Sequence, residues 1–548
     1  MQELHRYCLS HENRKWIFVP YDQLTDKIGP LARLKPRDVG IVMVENPWKA
    51  SLRPYHRQKL ALVLANMRHF ALEQARKGVA VRYVVANGPY RDKLSTLSRE
   101  LGGLEVMKPA ERELRTDLQP MVANGMLRVL PHEGRVASPN VLKEVTRPGP
   151  KWRMDAFYRF IRKKTGILME HGKPLGGKFS HDAENRHSWK GIPTPPEPCE
   201  FPADPIKLEV AELVKTSFAN HPGELRLKEL PATTQDAESL WKWAKENCMS
   251  HFGPFEDAMS FQSLGLFHTR VSSLLNIHRL LPARVVDDVL AMNLSINSKE
   301  GFVRQVLGWR EFVYLVHEAT DGFRNINGLL ANNTQIPGDA GYMRLYGNSW
   351  EPPSSMGLAL GGACPSYFGA DNKLPPLYWG VESGLECLDH VVQNVWKHGY
   401  SHHITRLMVL ANFATLMDVN PRELTDWFWI AYTDAYDWVV EPNVLGMGTF
   451  ALGPLITTKP YVAGANYIHK MSDYCEKCQF DPSRNCPITN LYWAFLARHK
   501  AKLERNPRLA LTIRNLDKRD SVAKKRDEMV YECLLAKLSR GDQIRTDP

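Results

Sequence analysis

The sequence predicts two unlike domains: an N-terminal α/β domain on a doubly wound parallel sheet, and a larger all-α domain. Three observations predict this. Short runs rich in Val, Ile and Leu recur through residues 1–135, a proline-rich stretch follows at 190–206, and beyond it apolar residues recur at helical spacing. The expected organisation is an α/β domain over 1–135, an interdomain linker region over 136–208 and a helical domain over 209–548.

The α/β reading rests on "WIFVP" (16–20), "GIVMVE" (40–45), "VAVRYVV" (79–85), "LEVMKP" (104–109) and "LRVLP" (127–131). Continuous apolar runs of this length suit strands buried on both faces of a parallel sheet. Between the second and third lies "HRQKLALVLANMRHFALEQARKG", whose apolar residues recur every three or four positions. Gly78 closes it, as a residue past a helix end should. Alternating strands and helices place ligands at the carboxyl ends of the strands. No GxGxxG fingerprint is present, so a dinucleotide site there is unsupported.

Pro193, Pro195, Pro196, Pro198, Pro202 and Pro205 deny regular helix to 190–206 and predict an extended linker. Helical periods follow in "DAESLWKWAKENCM", "ARVVDDVLAMNL", "EGFVRQVLGWREFVYLVHEA" and "HHITRLMVLANFATLM". Asn420-Pro421 starts another helix, with proline in its first turn. Residues 320–376, rich in Gly, Asn and Pro, predict a long irregular excursion. The charged C-terminal tail predicts a solvated helix and a frayed end.

Composition narrows the function. No apolar run approaches the ~20 residues that span a bilayer, and "MQELHRYCLSHENRKW" lacks the apolar core of a signal peptide, so a cytoplasmic protein is expected. A net charge of +11 fits a polyanionic partner such as nucleic acid, or plain surface charge. The nine cysteines, in a reducing compartment, argue against a disulfide framework. Cys8, Cys199, Cys248, Cys364 and Cys533 stand alone and read as small buried hydrophobes. Cys475, Cys478 and Cys486 form C-x2-C-x7-C, a spacing that presents thiolates to one metal centre. Spacing leaves zinc and iron–sulfur both open, and puts the fourth ligand elsewhere. Trp379, Trp427, Phe428, Trp429, Tyr432, Tyr436 and Trp438 read first as core packing. His402-His403 on a helix reads as one packed and one exposed side chain.

An ordered set of motifs adds to this. "SFQSLGLFHTRVSSLLNIHRLLP" (260–282), "EGFVRQVLGWREFVYLVH" (300–317), "HGYSHHITRLMVLANFATL" (398–416), "DAYDWVVEPNVLGM" (434–447) and "KPYVAGANYIHKMSDYCEKC" (459–478) resemble the iron–sulfur bacterial cryptochromes and photolyases. Upstream, "YDQL" (21–24), "YHRQKLALVLANMRHF" (55–70), "MDAFYRFIRKKTGILME" (154–170) and "GGKFSHDAENR" (176–186) extend the resemblance over nearly the whole chain.

The resemblance implies the photolyase/cryptochrome architecture, with FAD in the helical domain and a lumazine antenna (6,7-dimethyl-8-ribityllumazine) in the α/β domain. It implies a [4Fe-4S] cluster on Cys387, Cys475, Cys478 and Cys486. FAD contacts are expected from His268, Ser272, Asn276, Gln305, Trp309, Arg310, Asp434 and Asn443, and antenna contacts from Asp22 and Glu45. Trp379 and Trp427 would relay electrons. Phe428 stands where an electron-relaying tyrosine is common, so the relay skips it or uses another aromatic such as Tyr436. Val440 then Glu441 stand where a glutamate often precedes Pro-Asn. Asp182 and Asp257 are candidate Mg2+ ligands, or surface and capping carboxylates. The partner implied is DNA bearing UV photolesions, bound by a monomer without a membrane. The activity implied is light-driven repair, of the 6-4 type because His402, His403, Tyr461 and Tyr467 match the proton-donating set, with His403 as general acid. The alternative is a blue-light photoreceptor without repair activity. An unrelated iron–sulfur DNA-processing protein would explain the cysteines and charge, but not the flavin-domain motifs.

Overall fold

The computed structural model describes residues 14–145, 152–326, 334–335 and 362–546. Cys8 and most of the 320–376 excursion lie outside the described residues. All five expected strands form: β1 (Lys15–Phe18), β2 (Val39–Glu45), β3 (Ala80–Val85), β4 (Leu104–Met107) and β5 (Leu127–Leu130). They pair in parallel in the order β3-β2-β1-β4-β5. The order reverses between β1 and β4, the kind of switch point at which the chains leaving the strands of a doubly wound sheet part. Gly40 sets the β1–β2 spacing, because a Cβ there would meet the Trp16 ring at 2.6 Å.

The helix Arg57–Arg76 ties the two domains together. His56 caps it, accepting the Gln58 amide on Nδ1 at 3.0 Å, while its other ring nitrogen meets the Trp396 carbonyl at 3.0 Å. Its first turns (Leu60, Ala61, Leu62, Ala65) pack into the core of the C-terminal helices. Its later turns (Met67, Phe70, Ala71) pack on the sheet. One helix thus supplies both cores.

Within 136–208, the helix Met154–Thr165 buries Phe157, Tyr158 and Ile161 in the same core as the sheet, and 186–204 carry neither helix nor strand. The helical domain forms where periodicity predicted it, with Asn420 capping Pro421–Ala431 through its side-chain oxygen. Three stretches the pattern could not show are π-helical: Arg304–Arg310, Thr405–Ala411 and Glu441–Gly448. An extra residue per turn re-aims side chains, and such segments concentrate at functional sites. The C-terminal tail differs from expectation. Its helix Ser521–Arg540 buries Asp527, Tyr531, Leu534 and Leu538, because apolar residues at helical spacing give the charged sequence one face to lay on Pro487–Arg498. Among the described residues no helix is long and apolar enough to cross a membrane.

Candidate functional site

The loops before Ser272–Asn276 and Thr405–Ala411 converge on a histidine-lined cleft. His402 is buried and stacks on His268, ring centroids 4.4 Å apart, while His403 turns outward with 42% of its side chain exposed. The packed-and-exposed pair expected of adjacent histidines is what forms. Burial pushes the His268 and His402 imidazoles well below their ordinary pKa, so both are neutral. Among the described residues, His268 Nε2 and His402 Nδ1 find no hydrogen-bond partner. The His403 ring lies 3.7 Å from the Asp257 carboxylate, which also accepts the Tyr467 hydroxyl at 3.3 Å. Burial, and then Asp257, raise the Tyr467 phenol. Tyr461 is half-buried nearby; burial and then Asp182 raise its phenol too. His402, His403, Tyr461 and Tyr467 are therefore brought to one cleft.

Asp182 and Asp257 flank Arg186, which ion-pairs with Asp182 and lies 3.7 Å from Asp257. Arg304 also binds Asp182, at 2.9 Å, and reaches Glu256 and Glu300 at 3.3 Å each. Gln305 donates to Glu256. The charge a divalent cation would neutralise at this pair is already met by guanidinium.

A second network sits deeper. Arg406 holds Asp434 through two bonds of 3.0 and 3.1 Å, Ser272 donates to the same carboxylate at 2.6 Å, and Asn276 donates to the Asp434 carbonyl at 2.8 Å. Burial alone would raise the Asp434 carboxyl; Arg406 and Ser272 overcome it and keep the group ionised below its ordinary value. Arg406, which the motif reading passed over, is the positive end of this pair. Asn443 spends its amide on the Val439 carbonyl at 2.8 Å. Trp309 packs edge-on to Phe312, and Arg310 donates to the Leu275 carbonyl at 3.1 Å. Glu441 faces away from this network, bonded to Arg422 at 2.7 Å and His317 at 2.8 Å.

Cys387, on the helix Glu386–His398, lines one recess with Cys475, Cys478 and Cys486, floored by Ile468, Tyr474 and Ile488. Burial and the three neighbouring thiols push Cys387 well above the ordinary thiol range; Cys486 is pushed up to about 12 and Cys475 to about 11. Four thiols so placed ionise together only around a cation. Of the other cysteines, Cys248 is buried as expected, Cys199 and Cys364 are half-buried, and Cys533 is exposed on the tail helix, whose buried face lies elsewhere.

The aromatic residues include a chain the sequence concealed. Trp396 stacks on Trp379 (5.6 Å) and meets Trp427 edge-on (6.0 Å), joining the two expected relay residues. Its helix position, after Val391, Val392 and Val395, gave no signal beyond packing. Tyr436 lies against Tyr21 at 6.5 Å, at the domain interface. At the carboxyl end of the sheet, Asp22 is fully buried, with Oδ2 accepting the Ala110 amide and Oδ1 unpartnered among the described residues. Glu45 is closed off: Arg68 holds it bidentate at 2.7 and 3.0 Å and Tyr83 donates at 2.7 Å.

A parallel five-stranded sheet joined through one long helix to a helical domain with such a cleft is the photolyase/cryptochrome architecture. Two solved structures share the fold: a bacterial class III photolyase from Agrobacterium tumefaciens (TM-score 0.55, 14% identity, covering 96% of this chain and 98% of that chain) and a cryptochrome from Synechocystis (TM-score 0.51, 14% identity, covering 79% and 82%). Residues 17–229 match the family model described as deoxyribodipyrimidine photo-lyase-related protein. The chain is 31% identical over 508 residues to a (6-4) photolyase of Agrobacterium fabrum, covering 89% of this chain and 92% of that protein. The chain belongs to the photolyase-related family.

Proposed function

We propose that this protein is a light-driven DNA repair enzyme, a 6-4 photolyase that carries FAD and uses His403 as proton donor. The carrying observation is the convergence of exposed His403 with Asp257, Tyr467 and Tyr461 in one cleft beside the Asp434–Arg406 pair. The relative named a (6-4) photolyase supports the lesion type.

The residues fit FAD. Neutral His268 and His402 offer unpartnered buried nitrogens, and the Asp434–Arg406 pair with Ser272 and Asn276 supplies fixed dipoles in a dry pocket. When bound, reduced and photoexcited FAD supplies the electron that starts repair. The chain's part is to bind and orient the lesion and to manage the proton. Arg508, whose charge acts on the Tyr461 phenol, contributes to the cationic lining a phosphate backbone requires. His403 reaches solvent and hence an extruded base. Asp257 lies 3.7 Å from the His403 ring and accepts the Tyr467 hydroxyl, which fixes the ring's carboxylate neighbour in place.

The cysteines fit a [4Fe-4S] cluster. Among the described residues His268, His402 and His403 bring three ligand atoms within 4.8 Å of one another, a limit no three of the four thiols meet. A tetrahedral zinc at ~2.3 Å would draw its sulfurs to ~3.8 Å, whereas a cubane gives each sulfur its own iron and spreads them. Trp427, Trp396 and Trp379 form the path for photoreduction. For the lumazine antenna only Asp22 fits, since both Glu45 oxygens are engaged. For Mg2+ the carboxylates do not fit while Arg186 stands between them, and no step is derived through it.

The test is illumination of photoreduced protein with an oligonucleotide bearing a defined 6-4 lesion, with restored thymines followed by chromatography. The wild type restores them, and His403→Ala keeps flavin photoreduction but loses restoration. No restoration by wild-type protein with intact flavin and cluster would sink the repair reading; unchanged repair in the variant would remove His403 from its role.

A further inference from the structure

The cysteine recess is assembled from two distant parts of the chain, and a third part fastens them. Cys387 follows a short segment that is held stiffly. Asp389 accepts the Ser383 amide at 2.8 Å, the Ser383 hydroxyl at 2.7 Å and the Gly384 amide at 2.9 Å. The other three cysteines lie on 475–486, where the Asp481 carbonyl accepts the amides of Arg484, Asn485 and Cys486 at 3.2, 3.1 and 2.9 Å. Each part is thus braced within itself. Gln479, next to Cys478, joins them by donating to the Gly384 carbonyl at 3.0 Å.

The fastening comes from the residues after the tail helix. Gly541, left-handed at φ 82°, ends Ser521–Arg540 and turns the chain back. Ile544 then donates its amide to the Ser383 carbonyl at 2.8 Å, and its own carbonyl accepts Gln479 Nε2 at 3.1 Å. The Thr546 amide donates to Gln479 Oε1 at 3.2 Å, and Gln543 donates to Glu382 at 2.7 Å. One carboxamide therefore ties three segments together, its two hydrogens serving two carbonyls and its oxygen an amide. Position 384 is shaped for this meeting. It is left-handed at φ 84°, and a Cβ there would meet the Ile544 carbonyl oxygen at 2.2 Å, so glycine is what admits the approach. The Ile544 side chain is buried and belongs to the same core as Leu385, Cys387, Phe480 and Cys486. Residues 541–546, expected to fray, are instead docked. Cys475 and Cys478 are only half-buried, so what keeps the four thiols together is how firmly the two segments stay joined. Parting them carries Cys387 away from the other three.

We infer that Gln479 and residues 541–546 form a clasp that holds the two cysteine-bearing segments closed, and that its opening sets how fast the group held by the thiols is lost. Gln479 is a positioning residue: it acts through the place of Cys387 and of the loop that carries Cys478. The identity of the held group as an iron–sulfur cluster rests on the proposed function; the clasp itself does not.

The experiment uses full-length protein with single substitutions. Gln479→Glu sets a carboxylate against the Gly384 and Ile544 carbonyls, Gln479→Lys restores a donor, and Ile544→Asp unseats the buried side chain. The first readout is release of iron to a chelator that absorbs on taking up ferrous iron. The second, on reduced metal-free protein, is amide hydrogen exchange over 383–388 and 478–486. Gln479→Glu and Ile544→Asp should release iron at least tenfold faster than wild type and exchange at least tenfold faster in both segments, with Gln479→Lys within threefold of wild type. The visible absorbance of the freshly loaded proteins should be alike, because all four thiols remain. Release and exchange within threefold of wild type in both Gln479→Glu and Ile544→Asp would overturn the clasp. Faster exchange with unchanged iron release would overturn its control of the bound group. Wild-type protein that takes up no iron would count against the cluster reading instead, and the exchange comparison would still decide the clasp. Should Ile544→Asp not fold, Gln479→Glu decides alone, since that side chain is exposed.

Discussion

Replacing Glu441 should loosen the helical domain from inside. Its side chain is 2% exposed, Arg422 is 1% exposed and His317 is 1% exposed, and bonds of 2.7 and 2.8 Å join them. Arg422 also bonds Asp426 on its own helix, so two carboxylates share one fully buried guanidinium. Burial alone would raise the Glu441 carboxyl, but Arg422 and His317 pull it far below its ordinary value. Removing one partner of a buried, hydrogen-bonded charge pair costs about 3–5 kcal/mol, roughly a 10²- to 10⁴-fold rise in the local opening constant at 1.36 kcal/mol per decade. Amide hydrogen exchange over Pro421–Ala431 and Glu441–Gly448 reads this directly. Glu441→Leu should speed exchange there by about that factor, and Glu441→Gln, which keeps an acceptor without the charge, by less. A depressed carboxylate stabilises fully above its unfolded pKa of ~4.3 and loses that only as pH falls through the folded value. The gap between wild type and Glu441→Leu should therefore be level from about pH 6 upward and shrink in acid. Exchange within threefold of wild type in both variants would show that water reaches these charges, and the reasoning would fail.

Three further outcomes are expected. If the proposed cluster is present, Cys387→Ser should lower bound iron per chain and bleach its visible absorbance, measured by metal analysis and spectroscopy; full retention of iron would place the fourth ligand elsewhere. Trp396→Phe should slow flavin photoreduction at least tenfold while leaving repair by chemically reduced protein unchanged, because it interrupts the Trp427–Trp379 path. Burial and then Glu111 raise the Asp22 carboxyl to about 7; a raised acid stabilises fully below its unfolded pKa and loses that as pH rises towards the folded one. Asp22→Asn should therefore gain melting temperature relative to wild type between pH 4 and 7, a span of about three units worth up to ~4 kcal/mol. A constant difference across that range would mean the group is ionised in the fold.

The strands and the long helix were legible because both follow from local pattern. Strands buried on two faces must be apolar throughout, and a helix feeding two cores must repeat at three and four residues. The same reasoning found Asn420 and the packed-and-exposed histidine pair. It could not find the π-helical segments, because one extra residue per turn leaves no compositional mark, and so it missed that Arg406 faces Asp434. Trp396 was hidden for a related reason: a tryptophan among valines on an amphipathic helix looks like core until its neighbours on two other elements are known. The tail helix was misjudged because charge count outweighed the apolar stripe of Tyr531, Leu534 and Leu538.

Glu45 and Asp22 show what separates a ligand site from a structural ion pair. Both are buried carboxylates at the carboxyl edge of the sheet, and sequence position favoured both alike. Arg68 and Tyr83, reached across the fold, complete the hydrogen bonds of Glu45, and a ligand there would have to break a charge-assisted pair to gain another. Asp22 keeps one oxygen without a partner, beside guanidinium and imidazole nitrogens in the same condition. Since an unmade buried hydrogen bond costs ~1–3 kcal/mol, several at one place are stable only if something else completes them. The same accounting sets His268 and His402, with unpartnered nitrogens, apart from Asp182 and Asp257, which Arg186 and Arg304 already satisfy. Ligands belong where the fold leaves its polar groups unfinished, which favours Asp22 over the closed pair at Glu45.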